Sequence, residues 1–460
     1  MVPMNRVELL RTLRRVRMNG RLLGGLLALT LIAVVAAMVS PLAADNPVVL
    51  ENQQPGSDGW FPSNLADDLA GQIKGYASAT SVHQNESLTF YVSVNPAQAF
   101  TIDIYRLGWY GGLGGRLRQH VGPLGGVQQP PCDMDAVTGL LTCNWASSYV
   151  LTVPTDWTSG VYTALLTNAQ GYHNYVMFVV RDGRPAPFLY QQSVTTDEAY
   201  NNYPNDGLTG KSLYGFSSYG ANTVGGSPGA VKVSFDRPMA DSGFGVFMKW
   251  EINFIRWLER SGYDVTYSTD IDTHANGAEL RNHKAFLSVG HDEYWSKEMR
   301  DAAEAARDNG VNIAFFGANA VYTQVRFEPS TAGAANRVMV CYRAEPWNPI
   351  DPVQGPTTTA NSRSGLLNRP EQTLVGVQFD MTLPNTDYVV TNSSHWVYAG
   401  TGLKDGDTVR GIVGYEADSL MPNYPPPNST NQTLLSRSPR NATGGRSVAS
   451  PSRAAASLGS

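Results

Sequence analysis

A chain of 460 residues with a net charge of −5 and a pI near 5.8 is long enough for two folded units with sizeable cores. No Lys/Arg-dense stripe follows the first 25 residues, so the basic field that a nucleic-acid backbone requires is lacking and nucleic acid is excluded as a partner. Charged residues make up 16%, while 45 Gly, 28 Pro and 22 Tyr point to turn-rich, strand-rich architecture with polar rather than ionic surfaces.

Arg6, Arg11, Arg14, Arg15, Arg17 and Arg21 precede an uncharged run from Leu22 to Ala44, a positive flank before an apolar stretch long enough to reach across a bilayer. Residues 1–45 are therefore expected to be a basic flank with a signal or anchor helix, cleaved or not. The bulk of the chain would then be secreted, or held at the cell membrane by a single N-terminal helix. Residues 46–84, rich in Asn, Pro, Gly and Ser, read as a linker.

From 85 to 182 the pattern is short alternating runs between turns: Leu88 to Val94, Phe100 to Tyr105, Tyr149 to Val153, Val161 to Thr167 and Tyr175 to Val180. No helical stripe interrupts them, which predicts a β-sandwich. Cys132 and Cys143 bracket a short Pro/Asp-rich turn and are placed to close a small disulfide loop. Arg181 to Pro185 marks the boundary with a second unit, 185–435.

There the period changes. Phe188 to Gln191 reads as a strand, and Phe247, Trp250, Phe254 and Leu258 recur at helical spacing until Ser261-Gly262. Strands follow at Asp264 to Ser268 and Ala285 to Val289. Lys297 to Asp308 predicts a helix with Ser296 as N-cap and Met299, Ala302, Ala303 and Ala306 on one face, stopped by Asn309-Gly310. Val311 to Phe316 is the next strand, so the two strands flanking this helix are parallel and end at one sheet edge, where open α/β sheets bind ligands. Cys341, inside Val338 to Tyr342, reads as a small buried hydrophobe. Further on, 349–370 and 422–430 read as loops, Val375 to Asp380 and Tyr388 to Thr391 as strands, and 436–460, rich in Arg, Ser and Ala, as a disordered tail.

The chemistry concentrates in Gly290-His291-Asp292-Glu293-Tyr294-Trp295, the loop after the 285–289 strand. His291 and Glu293 are separated by one residue and so point to the same side of an extended segment. The crossover brings Asn319, in Phe316-Gly317-Ala318-Asn319, toward them. Such a pair can bind a metal, run general acid/base chemistry, or simply cap the helix that follows. Thr195 to Tyr203 and Lys211 to Tyr214 emerge at the same edge if the 188–191 strand is parallel to its neighbours. Asp270, Asp272 and His274 form a second metal candidate that also fits a helix cap. No nucleophile elbow is found: Gly225 to Gly229 matches Gly-x-Ser-x-Gly but precedes a strand-like run at Val231 to Phe235.

Six motifs occur in order: Ala199-Tyr200-Asn201, Ser212-Leu213-Tyr214, Arg237-Pro238, Trp257 to Val265, Gly290 to Ser296 and Phe316 to Asn319. Over about residues 185–435 they resemble the C-terminal domain of the N,N-dimethylformamidase large (beta) subunit family. The resemblance implies a glutamine-amidotransferase-like parallel sheet with helices, an α/β fold, preceded by an immunoglobulin-like β-sandwich. It also implies Fe(III) held by Tyr200, Tyr214 and Glu293, with Tyr203 as a substitute for Tyr200, and His291 and Asn319 as catalytic residues that orient water or the amide. The activity to expect is iron-dependent hydrolysis of a small-molecule amide C–N bond by an exported or membrane-anchored protein. The competing expectation is a non-catalytic surface protein that binds its partner through the sandwich and aromatic loops.

Overall fold

In the first half, alternating apolar residues build ten strands: β1 (Ile73–Ala77), β2 (Ser81–His83), β3 (Ser87–Val94), β4 (Ala99–Leu107), β5 (Gly115–Gly125), β6 (Asp133–Met134), β7 (Leu141–Thr142), β8 (Tyr149–Thr152), β9 (Gly160–Asn168) and β10 (His173–Arg181). One sheet has the order β1-β3-β8 and the other β2-β10-β9-β4-β5, in which only the β2–β10 pair is parallel. Phe90, Ile102, Ile104, Trp157, Tyr162 and Phe178 belong to the single core that both sheets share. The short β6–β7 ribbon carries the Cys132–Cys143 disulfide. This is a computed structural model, and it describes residues 46–61, 63–205, 212–214, 229–343, 351–425, 427 and 433–439.

The expected linker of 46–84 is in fact structured. A helix at Pro47–Asn52 buries Val48 and Glu51, and Glu51 accepts from Tyr110 Oη at 2.8 Å and Arg116 Nη1 at 2.9 Å. β1 is buried along its whole length and pairs with β3. Turn-rich composition concealed this because the segment is anchored by tertiary partners rather than by its own periodicity.

The second half adds β11 (Phe188–Gln192), β12 (Lys232–Ser234), β13 (Val265–Thr269), β14 (Ala285–Val289), β15 (Tyr294–Ser296), β16 (Asn312–Phe316), β17 (Thr323–Glu328), β18 (Val338–Val340), β19 (Gln378–Val389) and β20 (Thr408–Ser419). They form a parallel sheet, β13-β11-β14-β16, a mixed sheet, β12-β18-β17-β15, and the β19–β20 hairpin. The helix Lys297–Asp308 connects β14 to β16, which pair in parallel from Ala285↔Asn312 to Val289↔Phe316. Its cap is Ser296, whose Oγ accepts from Met299 N at 3.1 Å. The helical run expected over 245–260 breaks into Phe247–Trp250 and Ile252–Arg260, with the buried Glu251 between them accepting from Tyr190 Oη at 2.8 Å.

Two expectations are corrected. The chain is not the glutamine-amidotransferase-like α/β sheet expected behind an immunoglobulin-like sandwich: among the described residues strand accounts for 35% and helix for 16%, and several sheets are mixed or antiparallel. Only 252–260 and 297–308 hold an apolar helical period for two turns or more among the described residues, so the parallel sheet stays at four strands and the chain returns to strands from 323 onward. One of these, β19, replaces the two shorter strands expected at 375–380 and 388–391, and a helix at Gln372–Val375 precedes it. The placement at the membrane by a single N-terminal helix is likewise not supported: no helix among the described residues is long and apolar enough to cross a membrane, and residues 1–45 lie outside them. Of the expected tail, Ser436 bridges to Val390, and 440–460 fall outside the described residues.

Candidate metal and amide site

Two glycines allow the site to form. Gly290 ends β14 at φ 81°, a conformation that disfavours any side chain, and its carbonyl oxygen would stand 1.8 Å from a Cβ placed on Gly317. The ends of β14 and β16 therefore approach backbone to backbone, and the loops 290–295 and 317–319 leave from one point. Asn319 follows at φ 60°, the left-handed region that Asn tolerates through its short polar side chain. Backbone hydrogen bonds fix the first loop further, from Val321 N to Asp292 O and from Thr323 N to Glu293 O, both at 3.0 Å.

Tyr200 caps the C-terminal end of the helix Val194–Ala199, which starts directly after β11. That helix is bound to the Glu293 loop: Ser193 Oγ donates to His291 O at 2.7 Å and Glu293 N donates to Thr196 Oγ1 at 3.2 Å. Beyond it, Asn201 Nδ2 donates to Pro238 O at 3.0 Å and Arg237 Nε donates to Glu198 at 2.7 Å, so the Ala199–Asn201 and Arg237-Pro238 motifs brace each other. Leu213 N donates to Ala199 O at 3.0 Å, which brings the 212–214 segment and Tyr214 alongside Tyr200.

Three oxygens meet here. Tyr200 Oη is 3.3 Å from Glu293 Oε2, Tyr214 Oη is 2.9 Å from Tyr200 Oη, and Tyr214 Oη is 3.5 Å from Glu293 Oε2. The two phenol rings stack at 4.4 Å, and Tyr200 is 38% exposed, so the cluster borders solvent on that side. A small hard cation with bonds of about 2.0–2.1 Å at right angles spaces its donors about 3 Å apart, so this triangle fits such an ion. The buried Asn319 Oδ1 has no hydrogen-bond partner, an acceptor left over on a residue linked to Glu293 through Glu416 and His291.

His291 Nε2 lies 3.3 Å from Glu293 Oε2 and 3.5 Å from Glu416 Oε2. Burial opposes the charged imidazole, but the hydrogen bond to Glu293 and the charges of Glu293 and Glu416 outweigh it and raise the His291 pKa. Burial also raises the Glu416 carboxyl, with His291 pulling the other way and Glu293 adding to the rise. The Tyr200 and Tyr214 hydroxyls are held well above the ordinary phenol range, first by burial and then by the Glu293 charge. The arrangement can hold a proton on His291 Nε2 between two carboxylates.

Sequence reasoning missed Glu416, Asp418 and Arg343, and gave Tyr294 no role of its own although it lies in the Gly290–Trp295 loop. Glu416 and Asp418 sit on β20, where Glu416 Oε1 accepts from Asn319 Nδ2 at 3.3 Å and Asp418 Oδ1 accepts from Asn319 N at 2.8 Å. Burial pushes the Asp418 carboxyl up to about 7. Tyr294 Oη meets Tyr214 Oη and accepts from Arg343 Nη2 at 3.0 Å, and the Arg343 guanidinium lies 4.4 Å from the Tyr214 ring centre. The alternating carboxylates of Tyr415-Glu416-Ala417-Asp418 were the available signal, but nothing local ties that strand to the Asn319 loop.

The remaining candidates lie elsewhere. Tyr203 packs with Tyr76, Cys143 and Trp145 rather than with Glu293. Asp272 completes a capping box with Thr269, Asp270 Oδ2 accepts from Thr195 N and Oγ1 at 2.9 and 2.7 Å, and His274 Nδ1 is 2.9 Å from Ser296 Oγ. These are structural roles, and no His/Cys/Asp/Glu group of three or more among the described residues is arranged to hold a metal. Cys341 is free and buried, and burial pushes its thiol up to about 11.

Comparison with known proteins gives the site its setting. The N,N-dimethylformamidase beta subunit of an Alcaligenes species is 28% identical over 223 residues, 41% of this chain and 29% of that relative, so the match spans well under half of the relative's length. Among solved structures, a superoxide reductase (neelaredoxin) from Ignicoccus hospitalis is 15% identical with a TM-score of 0.15, covering 24% of this chain and 82% of that one. A Paenibacillus cycloisomaltooligosaccharide glucanotransferase is 8% identical with a TM-score of 0.17, covering 62% and 35%. The match to the family described as N,N-dimethylformamidase beta subunit-like, C-terminal, runs over residues 101–458, wider at both ends than the 185–435 resemblance, and this chain belongs to that family.

Proposed function

We propose that this chain hydrolyses the C–N bond of a small amide at a ferric site formed by Tyr200, Tyr214 and Glu293. The observation that carries the reading is the oxygen triangle, with edges of 2.9, 3.3 and 3.5 Å, set beside an imidazole between two carboxylates and linked through Glu416 to Asn319, whose Oδ1 is unpartnered. Bound there, ferric iron would polarise the amide carbonyl and acidify a water.

The protein's own groups divide the rest of the work. Glu416 is the general base: burial keeps its affinity for a proton high, and His291 Nε2 lies beside it. His291 returns a proton to the departing amine nitrogen. Asn319, held by Glu416 through Nδ2, presents Oδ1 to an N–H or water of the incoming amide. Membership of the dimethylformamidase-like family supports amide hydrolysis as the reaction type.

The test is iron content and amine release from N,N-dimethylformamide and formamide, measured on the purified chain and on Glu293→Ala. Stoichiometric iron with visible phenolate-to-iron absorption, lost together with amine release in the variant, supports the reading. A chain that takes up no iron from ferric salts and releases no amine overturns it.

A further inference from the structure

The two phenols of the site do not have equivalent surroundings. Tyr200 meets Glu293 through its hydroxyl and faces the His291 ring at 6.0 Å. Tyr214 carries the Arg343 guanidinium 4.4 Å from its ring centre, and its hydroxyl meets that of Tyr294, which in turn accepts from Arg343 Nη2 at 3.0 Å. Arg343 thus acts on Tyr214 twice, through the ring face and through the Tyr294 hydroxyl. It stands just past β18 at φ 57°, a left-handed conformation that a non-glycine residue holds only when its surroundings require it.

A guanidinium over an aromatic face is attracted by the ring's π electrons and draws density from them. A hydroxyl donating to the phenolic oxygen lowers the energy of the same electrons. Resting on the ferric-site reading above, we propose that Arg343 and Tyr294 are positioning residues that make Tyr214 the weaker and Tyr200 the stronger of two unequal phenolic donors. The inequality places the more strongly donating oxygen on the side of His291, whose ring lies 6.0 Å from that of Tyr200. The class of ligand that this asymmetry suits is a hard ferric ion with one site face kept electron-poor.

The experiment uses the full chain loaded with ferric iron, with iron content and the visible phenolate-to-iron band read for the wild type, Arg343→Gln, Arg343→Lys and Tyr294→Phe. Removing a cation or a hydrogen bond from Tyr214 raises its donor level, so Arg343→Gln and Tyr294→Phe should move the band to longer wavelength. Arg343→Lys, which keeps the charge, should return it toward the wild-type position. Iron affinity is expected to change by about 10- to 100-fold in Arg343→Gln, the range for residues that orient metal ligands. Should Arg343→Gln fail to fold, Tyr294→Phe reads the same effect with Arg343 intact. Iron bound by these variants with an unmoved band overturns the inference alone, whereas a wild-type chain that binds no iron overturns the site reading and this inference with it.

Discussion

The Tyr200 hydroxyl lies 3.3 Å from the Glu293 carboxylate although 93 residues separate them in the chain. The contact exists because β11 and β14 are adjacent parallel strands, each followed at its C-terminal end by a short segment that turns toward the other. Ser193 and Thr196 then bind the two segments together through His291 O and Glu293 N.

Glu416 is expected to act on turnover rather than on metal. Its carboxylate meets His291 Nε2 at 3.5 Å and Asn319 Nδ2 at 3.3 Å. Glu416→Gln should lower kcat by about 10²- to 10⁴-fold, the usual contribution of a general base, while iron content stays at the wild-type level. Parallel measurement of amine release and bound iron checks this, and loss of iron would reassign the residue to the metal.

Gly317 should tolerate no side chain. A Cβ there would meet the Gly290 carbonyl oxygen at 1.8 Å, so Gly317→Ala must force β14 and β16 apart at the site. A loss of about 1–3 kcal/mol in urea unfolding is expected, as for other overpacked positions. At Gly365 a Cβ meets nothing within 4 Å, and Gly365→Ala should leave the curve unchanged.

The Arg106–Glu259 pair joins the sandwich to the helix Ile252–Arg260 at 2.7 Å, with both side chains 0% exposed. Tyr267 Oη also donates to Glu259, at 2.7 Å. Arg106→Met leaves Glu259 buried without its cation and should cost about 3–5 kcal/mol. The double variant Arg106→Met/Glu259→Met should recover much of that loss, because the isolated charge is gone; equilibrium denaturation of the three proteins decides.

Asp197 makes stability depend on pH. Burial pushes its carboxyl up to about 7 from a reference of 3.8. A carboxyl raised on folding favours the folded state while protonated, so this contribution is complete below about pH 4 and is lost as pH climbs through 7. Thermal melts at pH 5 and pH 8 should therefore show a smaller difference in Asp197→Asn, which still accepts from Val246 N, than in the wild type.

The local elements were legible wherever a short stretch carries its own instructions. Ser296 names the start of the helix Lys297–Asp308 because its hydroxyl caps Met299 N, and Asn309-Gly310 ends it. The strand–helix–strand order made β14 and β16 parallel, since a crossover of that length allows little else, and placed the Glu293 and Asn319 loops at one edge. The motif around Ala199–Asn201 led to Tyr200 through a resemblance between sequences; no spacing rule would have found it.

Sequence by itself thus determined the pairing of nearby elements, the loop that bears His291 and Glu293, and the family. Tertiary structure decided the rest: a mostly β architecture, the ordering of 46–84, the arrival of Glu416 and Asp418 at Asn319, and that of Arg343 at Tyr294 and Tyr214. The physical reason is the range of the interactions. Caps, turns and periodicity act over a few residues and leave a mark in the sequence, whereas β20 reaches Asn319 only through pairing with β19 and contacts across about a hundred residues, which no local pattern encodes.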